Sequence, residues 1–370
     1  MGRILRLASG TRKWNLSNAL FATSEGDAGL RLLRSLNCRK VDSVVWGTTL
    51  RYERMPLTAS AAVRDSSTQP ERIGTQTDIL GESPLWDEQA QCLYWLDIRR
   101  PALRRLCPAT ERVDSWPLPG LAGSIALTDD HRLLVALPQQ IVLFDPATGT
   151  MAPFVEPPPQ PDGHRFNDGR CDAQGRFWVG TMHNVTRAPE GVLYRLEGRG
   201  PMVPVRTGVC IPNSLAFSPD GQTMYFADSL RYAIFAHDYD LATGTMGAER
   251  VFATSQAPAF ADGSAVDAEG FLWNAQFNGG QLVRYAPDGR IDRVLPLPVR
   301  RPTCCAFGGP DLDLLYITTA SQNMSEAEMQ AEPLAGALLA IKVGVCGLPE
   351  PRFSLSGINA TSPAPTSPQI

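Results

Sequence analysis

The sequence is poor in histidine, in net charge and in long apolar runs, and each shortage removes a class of function. Its 370 residues hold 4 histidines, His131, His164, His183 and His237, with no pair at i, i+4 and no Cys/His cluster. That disfavours a Cys/His zinc site. A net charge of -4 supplies no field that would gather nucleic acid or an anionic membrane. No apolar stretch reaches the ~20 residues of a membrane span, and no hydrophobic segment precedes a small-residue cleavage site. The expectation is a cytoplasmic protein with no nucleic-acid or membrane partner, either a monomer or a weak homodimer. There is no Gly-x-Ser-x-Gly elbow to hold a serine nucleophile. The 8 cysteines include no Cys-x-x-Cys, and Cys92, Cys171, Cys304 and Cys305 fall in or beside apolar runs. Reduced thiols packed near strands are expected.

Turns are abundant, with 32 Gly and 31 Pro. One turn-plus-strand element recurs at Asp87, Thr128, Asp172, Ser218, Asp267 and Gly309, at spacings of 41, 44, 46, 49 and 42 residues. The clearest copy is Asp172-Ala173-Gln174-Gly175-Arg176-Phe177-Trp178. Propeller blades of four strands have about this length. Between the anchors lie short alternating runs such as Gly191–Leu196 and Leu282–Tyr285, separated by Asp-Gly or Thr-Gly turns that mark antiparallel hairpins. The spacing predicts an all-β, six-bladed β-propeller over 71–350, with four antiparallel strands per blade and no long helix. A strand from Thr75–Leu80 is expected to complete the blade formed by 305–350, which would remove two open sheet edges. Trp86, Trp178 and Trp273 read as blade packing.

The two ends read differently. Residues 1–70 are basic, poor in acids and without the repeat. They are expected to be an unstructured extension or an upstream start, with Met55 as the alternative start and an organellar transit sequence as the lesser reading. Residues 351–370, ending in Ser-Pro-Ala-Pro-Thr-Ser-Pro-Gln-Ile, are expected to be a disordered tail.

Strands need few polar residues, so those beside the innermost strands stand out. Glu82, Asn167, Asn213 and Asp262 each precede an anchor by five residues. Equal offsets on equivalent blades imply convergence at the axis, and the expectation places them in the loops that precede the innermost strands. Two carboxylates and two amide oxygens are hard donors. They suit one divalent ion, Ca²⁺, Mg²⁺ or Mn²⁺, with Zn²⁺ tolerated where water completes the shell. Asp228, at the end of an apolar strand, reads as structural.

The segments Gly81-Glu82-Ser83-Pro84-Leu85-Trp86, Arg165-Phe166-Asn167-Asp168-Gly169, Ile211-Pro212-Asn213-Ser214, Asp262-Gly263 and Pro302–Gly309 together resemble the regucalcin/gluconolactonase family over about 80–343. The resemblance implies a metal-dependent propeller that hydrolyses sugar lactones. By motif, Glu82, Asn213 and Asp262 resemble the metal ligands. Arg165 resembles the residue that holds substrate hydroxyls or the ring oxygen, and Asn167 stands near enough to coordinate or to touch substrate. Two departures concern the substrate side. The usual Asn-Gly of the third motif is Asn213-Ser214, and an acidic substrate contact of some members is unmatched, its place falling to Arg187 or Glu190.

The expected reaction is metal-assisted attack of water on the carbonyl of a gluconolactone- or arabinolactone-type ring, with Asp262 as proton acceptor. Two alternatives stand beside it. One is a phosphotriester or aryl-ester hydrolase, since the propeller and its metal site also resemble those of paraoxonase and diisopropyl fluorophosphatase. The other is a non-enzymatic calcium-binding regulator.

Overall fold

Six four-stranded antiparallel sheets follow one another around a closed ring in the computed structural model of the chain, which describes residues 69–357. The expectations placed on 1–68 and on 358–370 lie outside the described residues. Five blades are built from consecutive strands, with innermost strands Gly81–Asp87, Ser124–Leu127, His164–Cys171, Pro212–Phe217 and Phe260–Val266. The sixth joins Pro302–Gly308, Leu314–Thr319 and Leu338–Lys342 to Glu71–Ile73, with Glu71 opposite Ala340 and Ile73 opposite Leu338. A strand from before the first blade does close the ring, but it is Glu71–Ile73 and not Thr75–Leu80. Gly74, at φ 67, turns the chain out of that sheet, and Leu80 makes only an isolated bridge to Ala320.

The recurring turn has a local cause. The carboxylates of Asp87, Asp172 and Asp267 accept backbone N–H groups from the residues that follow: Gln89 and Ala90, Gln174 and Arg176, Glu269 and Phe271. This side-chain turn fixes each hairpin between the innermost strand and the next. Behind two of them a buried arginine pairs the carboxylate, Arg176 at 3.0 Å from Asp172 and Arg284 at 2.7 Å from Asp267. Burial falls from the axis outward. Pro302–Gly308 is buried throughout, whereas the outermost strand Arg112–Pro117 has no buried residue. Six apolar clusters fill the six junctions between blades, and Trp86, Trp178 and Trp273 sit buried in three of them.

Two further expectations are corrected. Cys92 and Cys107 form a disulfide where reduced thiols were expected. They lie one place beyond the Leu93–Leu106 pair of adjacent strands, with Cα atoms 4.5 Å apart, the spacing of a non-hydrogen-bonded antiparallel pair. Such a register is invisible in a cysteine count. The chain also stays ordered past residue 351. Residues 345–357 cross the anchor turns of successive blades through Ala268 N–H to Cys346 O at 2.9 Å, Gly347 N–H to Leu312 O at 2.8 Å and Ser354 N–H to Gly175 O at 3.1 Å. Phe353 is fully buried in the cluster that contains Phe154, Phe166 and Phe177. Within the described part of this segment, one aromatic side chain fills a junction between blades and holds the chain there.

Candidate functional site

Glu82, Arg165, Asn167, Asn213 and Asp262 line one cavity of about 70 Å³, at the end of the ring axis away from the anchor turns. One ordered water needs only ~10–15 Å³, so the space admits a cation with its waters or part of a small polar ligand. The expectation that these residues occupy loops ahead of the innermost strands is corrected, because they lie inside those strands. The register slips between Glu82 and Leu85, Phe166 and Gly169, Asn213 and Ala216, and Ala261 and Ser264. A bulge of this kind re-aims a side chain that the pleat would otherwise turn elsewhere. Ser83 and Ser214, which follow Glu82 and Asn213, adopt φ 50 and φ 57. At Ser214, where a glycine would be at ease, the hydroxyl is held 2.6 Å from Ser264 Oγ.

The five-residue offset also selects Gly123 and Cys304, so the ring is not sixfold in chemistry. A Cβ at Gly123 would lie 2.1 Å from Phe166 O, which leaves that blade without a side chain at this position. Cys304 is buried and lines a second cavity of about 10 Å³ with Asp168, Arg170 and Glu350.

Hydrogen bonds fix the amides. Ser229 Oγ donates to Ala261 O at 2.7 Å and so must accept from Asn213 Nδ2 at 2.8 Å. That leaves Asn213 Oδ1 as the end of the amide that accepts, here from Asn167 Nδ2 at 2.8 Å. Asn167 Nδ2 gives its other proton to Pro212 O at 2.9 Å, and Asn167 Oδ1 accepts from Arg165 Nη1 at 2.7 Å. Arg165 Nε donates to Asn184 Oδ1 at 2.9 Å. The relay spans three blades and leaves Arg165 Nη2 with no hydrogen bond among the described residues.

Charge is poorly balanced here. Burial, and then the charge of Asp168, pushes the Glu82 carboxyl up to about 8. Burial followed by the charge of Glu82 raises Asp262 well above the usual carboxylate range, and burial raises Asp168 to about 6. Arg165 is pulled down to about 10 by burial and by the like charge of Arg99. Arg165 offsets only part of the repulsion between Glu82 and Asp262, and Arg170 only part of the burial of Asp168. With Asn213 Oδ1 in the same cavity, Glu82 and Asp262 fit a divalent cation by donor type.

Other residues resolve around this centre. Arg187 lines the cavity, as does Arg99, which the sequence reading passed over. Glu190 points instead toward His164, its carboxylate 3.7 Å from Nε2. Asp228 is structural, accepting the N–H groups of Cys210 and Ile211, each at 3.0 Å. Asp168 and Ser229 were also passed over. Asp168 follows Asn167 in the segment Arg165–Gly169, but only the bulge after Phe166 explains how both neighbours face inward.

Residues 80–321 match the family described as SMP-30/Gluconolactonase/LRE-like region. The 6-deoxy-6-sulfogluconolactonase of Pseudomonas putida is 37% identical over 75% of this chain and 96% of its own length. The L-arabinolactonase of Azospirillum brasilense is 37% identical over 74% of this chain and 92% of its own. Among solved structures, the calcium-binding protein regucalcin from Agrobacterium tumefaciens str. C58 superposes with a TM-score of 0.74 and 31% identity, covering 77% of this chain and 97% of that one.

Proposed function

The chain belongs to the SMP-30/gluconolactonase/LRE-like family, and from that premise we propose that it opens sugar lactones to aldonic acids with one divalent cation held by Glu82, Asn213 and Asp262. The observation that carries the reading is the meeting of these three side chains with Arg165 in one cavity, where the buried carboxylates of Glu82 and Asp262 repel one another. The names of the Pseudomonas and Azospirillum relatives support the reaction class, and that of the Agrobacterium regucalcin supports a cation.

A divalent cation, when bound, polarises a carbonyl oxygen and lowers the pKa of water. The remaining work falls to the chain. An Asp262 carboxylate oxygen accepts the proton of the attacking water and returns it to the ring oxygen as the acyl C–O bond breaks, so the alcohol leaves protonated. Arg165, anchored through Nε and Nη1, directs Nη2 at a substrate hydroxyl or at the ring oxygen. Asn167 has both amide protons and its oxygen committed to protein, so it acts by holding Arg165 and Asn213 in place. Phe260 and Phe277 give the cavity an apolar wall.

The test is proton release from gluconolactone and arabinonolactone by the chelator-stripped full chain, with Ca²⁺, Mg²⁺, Mn²⁺ and Zn²⁺ restored singly. Hydrolysis that returns with at least one ion is expected. No hydrolysis of any lactone, while Glu82→Ala abolishes ion binding, would replace this reading with that of a calcium-binding regulator.

A further inference from the structure

The cavity contains more positive charge than neutral sugar chemistry requires. Arg99, Arg165 and Arg187 all contribute to its lining, against the two carboxylates Glu82 and Asp262. A dication bound by those carboxylates would use their charge and leave the three guanidinium groups uncompensated. Arg165 is tied to Asn184, Phe166 and Asn167. Arg99 and Arg187 differ, because neither has an ion pair or a side-chain hydrogen bond among the described residues. They are close enough that burial and the charge of Arg187 both lower the Arg99 pKa.

Both cations are presented by fastened loops. Arg99 follows the strand Cys92–Asp97, and Asp97 Oδ1 accepts the N–H groups of Arg99 and Arg100 at 3.2 and 3.1 Å. Arg187 follows the strand Phe177–His183. There His183 Nδ1 accepts from Val185 and Thr186 N–H at 3.2 and 3.0 Å, and Arg187 N–H reaches His183 O at 3.2 Å. The one acid on this loop, Glu190, is turned toward His164. The two arginines come from the first and third blades, and the second blade gives the cavity no lining residue. Opposite them stand Ile211, Phe260 and Phe277. One side of the cavity is thus cationic and the other apolar.

We propose that the lactone opened here carries an anionic substituent, a sulfonate, phosphate or carboxylate remote from the ring carbonyl, bound by Arg99 and Arg187. The inference rests on the lactonase reading and adds the charge of the substrate to it. Guanidinium groups suit such oxyanions because their planar N–H pairs match two oxygens at once. Like charges held together without partners are otherwise unfavourable, and an incoming anion removes that repulsion.

The experiment compares kcat/KM of the metal-loaded full chain on gluconolactone with its 6-sulfonate, its 6-phosphate and a glucarolactone bearing a free carboxylate. At least one anionic ring is expected to exceed the neutral one about tenfold, through KM, and that margin should shrink as ionic strength rises. In Arg99→Gln, Arg187→Gln and the double variant, the anionic-to-neutral ratio should fall about 10- to 100-fold, the range for losing charged hydrogen bonds. A neutral lactone preferred over all three anionic rings, or a ratio unmoved in the double variant, overturns the inference and leaves the lactonase reading standing. If no lactone is hydrolysed with any ion supplied, both fall together.

Discussion

At one end of the ring axis Glu82, Arg165, Asn213 and Asp262 surround about 70 Å³ of space, and at the other about 10 Å³ remains among Asp168, Arg170 and Glu350. The same innermost strands line both cavities, Asn167 in the wide one and its neighbours Asp168 and Arg170 in the narrow one. At the narrow end opposite charges meet. Arg170 Nη1 lies 3.0 Å from Glu350, Arg170 Nη2 donates to Ser264 O at 3.1 Å, and Arg352 lies 2.6 Å from Asp87. The segment 345–357 lies across this end. At the wide end Glu82 and Asp262 form no ion pair among the described residues and repel one another, and Arg165 offsets them only in part. Paired charge and covered backbone hold a ring shut, whereas uncompensated charge is useful only where something is to be bound. The difference supports the proposal of function at the wide end without reference to any relative.

The comparison breaks most visibly at Asp262 and Glu82. Asp262→Asn is expected to lower kcat by about 10²–10⁴-fold, the range for losing a proton acceptor. Glu82→Gln should prevent cation binding by calorimetry. Yet in chelator the same variant should melt higher than the parent by about 2–4 °C, because one of the mutually repelling buried carboxylates is gone. A lower melting temperature in chelator would mean that Glu82 already has its counter-charge, and the contrast between the ends would fail.

At the narrow end the sign reverses. Phe353→Ala removes a fully buried ring from the junction that holds Phe154 and Phe166. A cost of about 3–5 kcal/mol in denaturant unfolding is expected. Cation affinity of the folded variant should stay within about twofold, since Phe353 lines neither cavity. Affinity that falls along with stability would show that the wide end depends on the strap across the narrow one.

The scaffold was legible because blade repetition is a property of spacing. Asp87, Asp172 and Asp267 mark hairpins by their own side-chain turns, and this chemistry needs no knowledge of distant residues. Equal offsets likewise brought Glu82, Asn167, Asn213 and Asp262 to one cavity. What stayed hidden depends on register and on distant chain. Pairing of Cys92 with Cys107 needs the cross-strand register, and the placement of Phe353 needs a junction made by residues from Ala126 to Met202, far upstream. Arg99 lacks any motif and becomes visible only when the first and third blades are seen to share a wall. Bulges were also beyond reach, since a chain that slips by one residue carries the same letters as one that does not.

Asp168 lines the narrow cavity but acts on the carboxylates of the wide one, and it offers the smallest and most discriminating test. Its carboxylate accepts Leu215 N–H at 2.8 Å and feels Arg170 and Glu350 from below, while its own charge raises Glu82 and Asp262 above. Asp168→Asn removes negative charge next to the cation ligands, so affinity should fall by about 10–100-fold, as for outer partners of a metal site. Glu350→Gln removes negative charge one step further away, behind Arg170. Arg170 keeps Ser264 O and the facing Asp168, so the fold should lose only about 1–2 kcal/mol. Cation affinity should weaken by only about threefold, less than the outer-partner range. Charge transmitted along the axis must decay in this order if the ends are separate. An effect of Glu350→Gln equal to that of Asp168→Asn would instead make Asp168, Arg170 and Glu350 a single unit with the wide-end carboxylates, and the narrow end would then belong to the site.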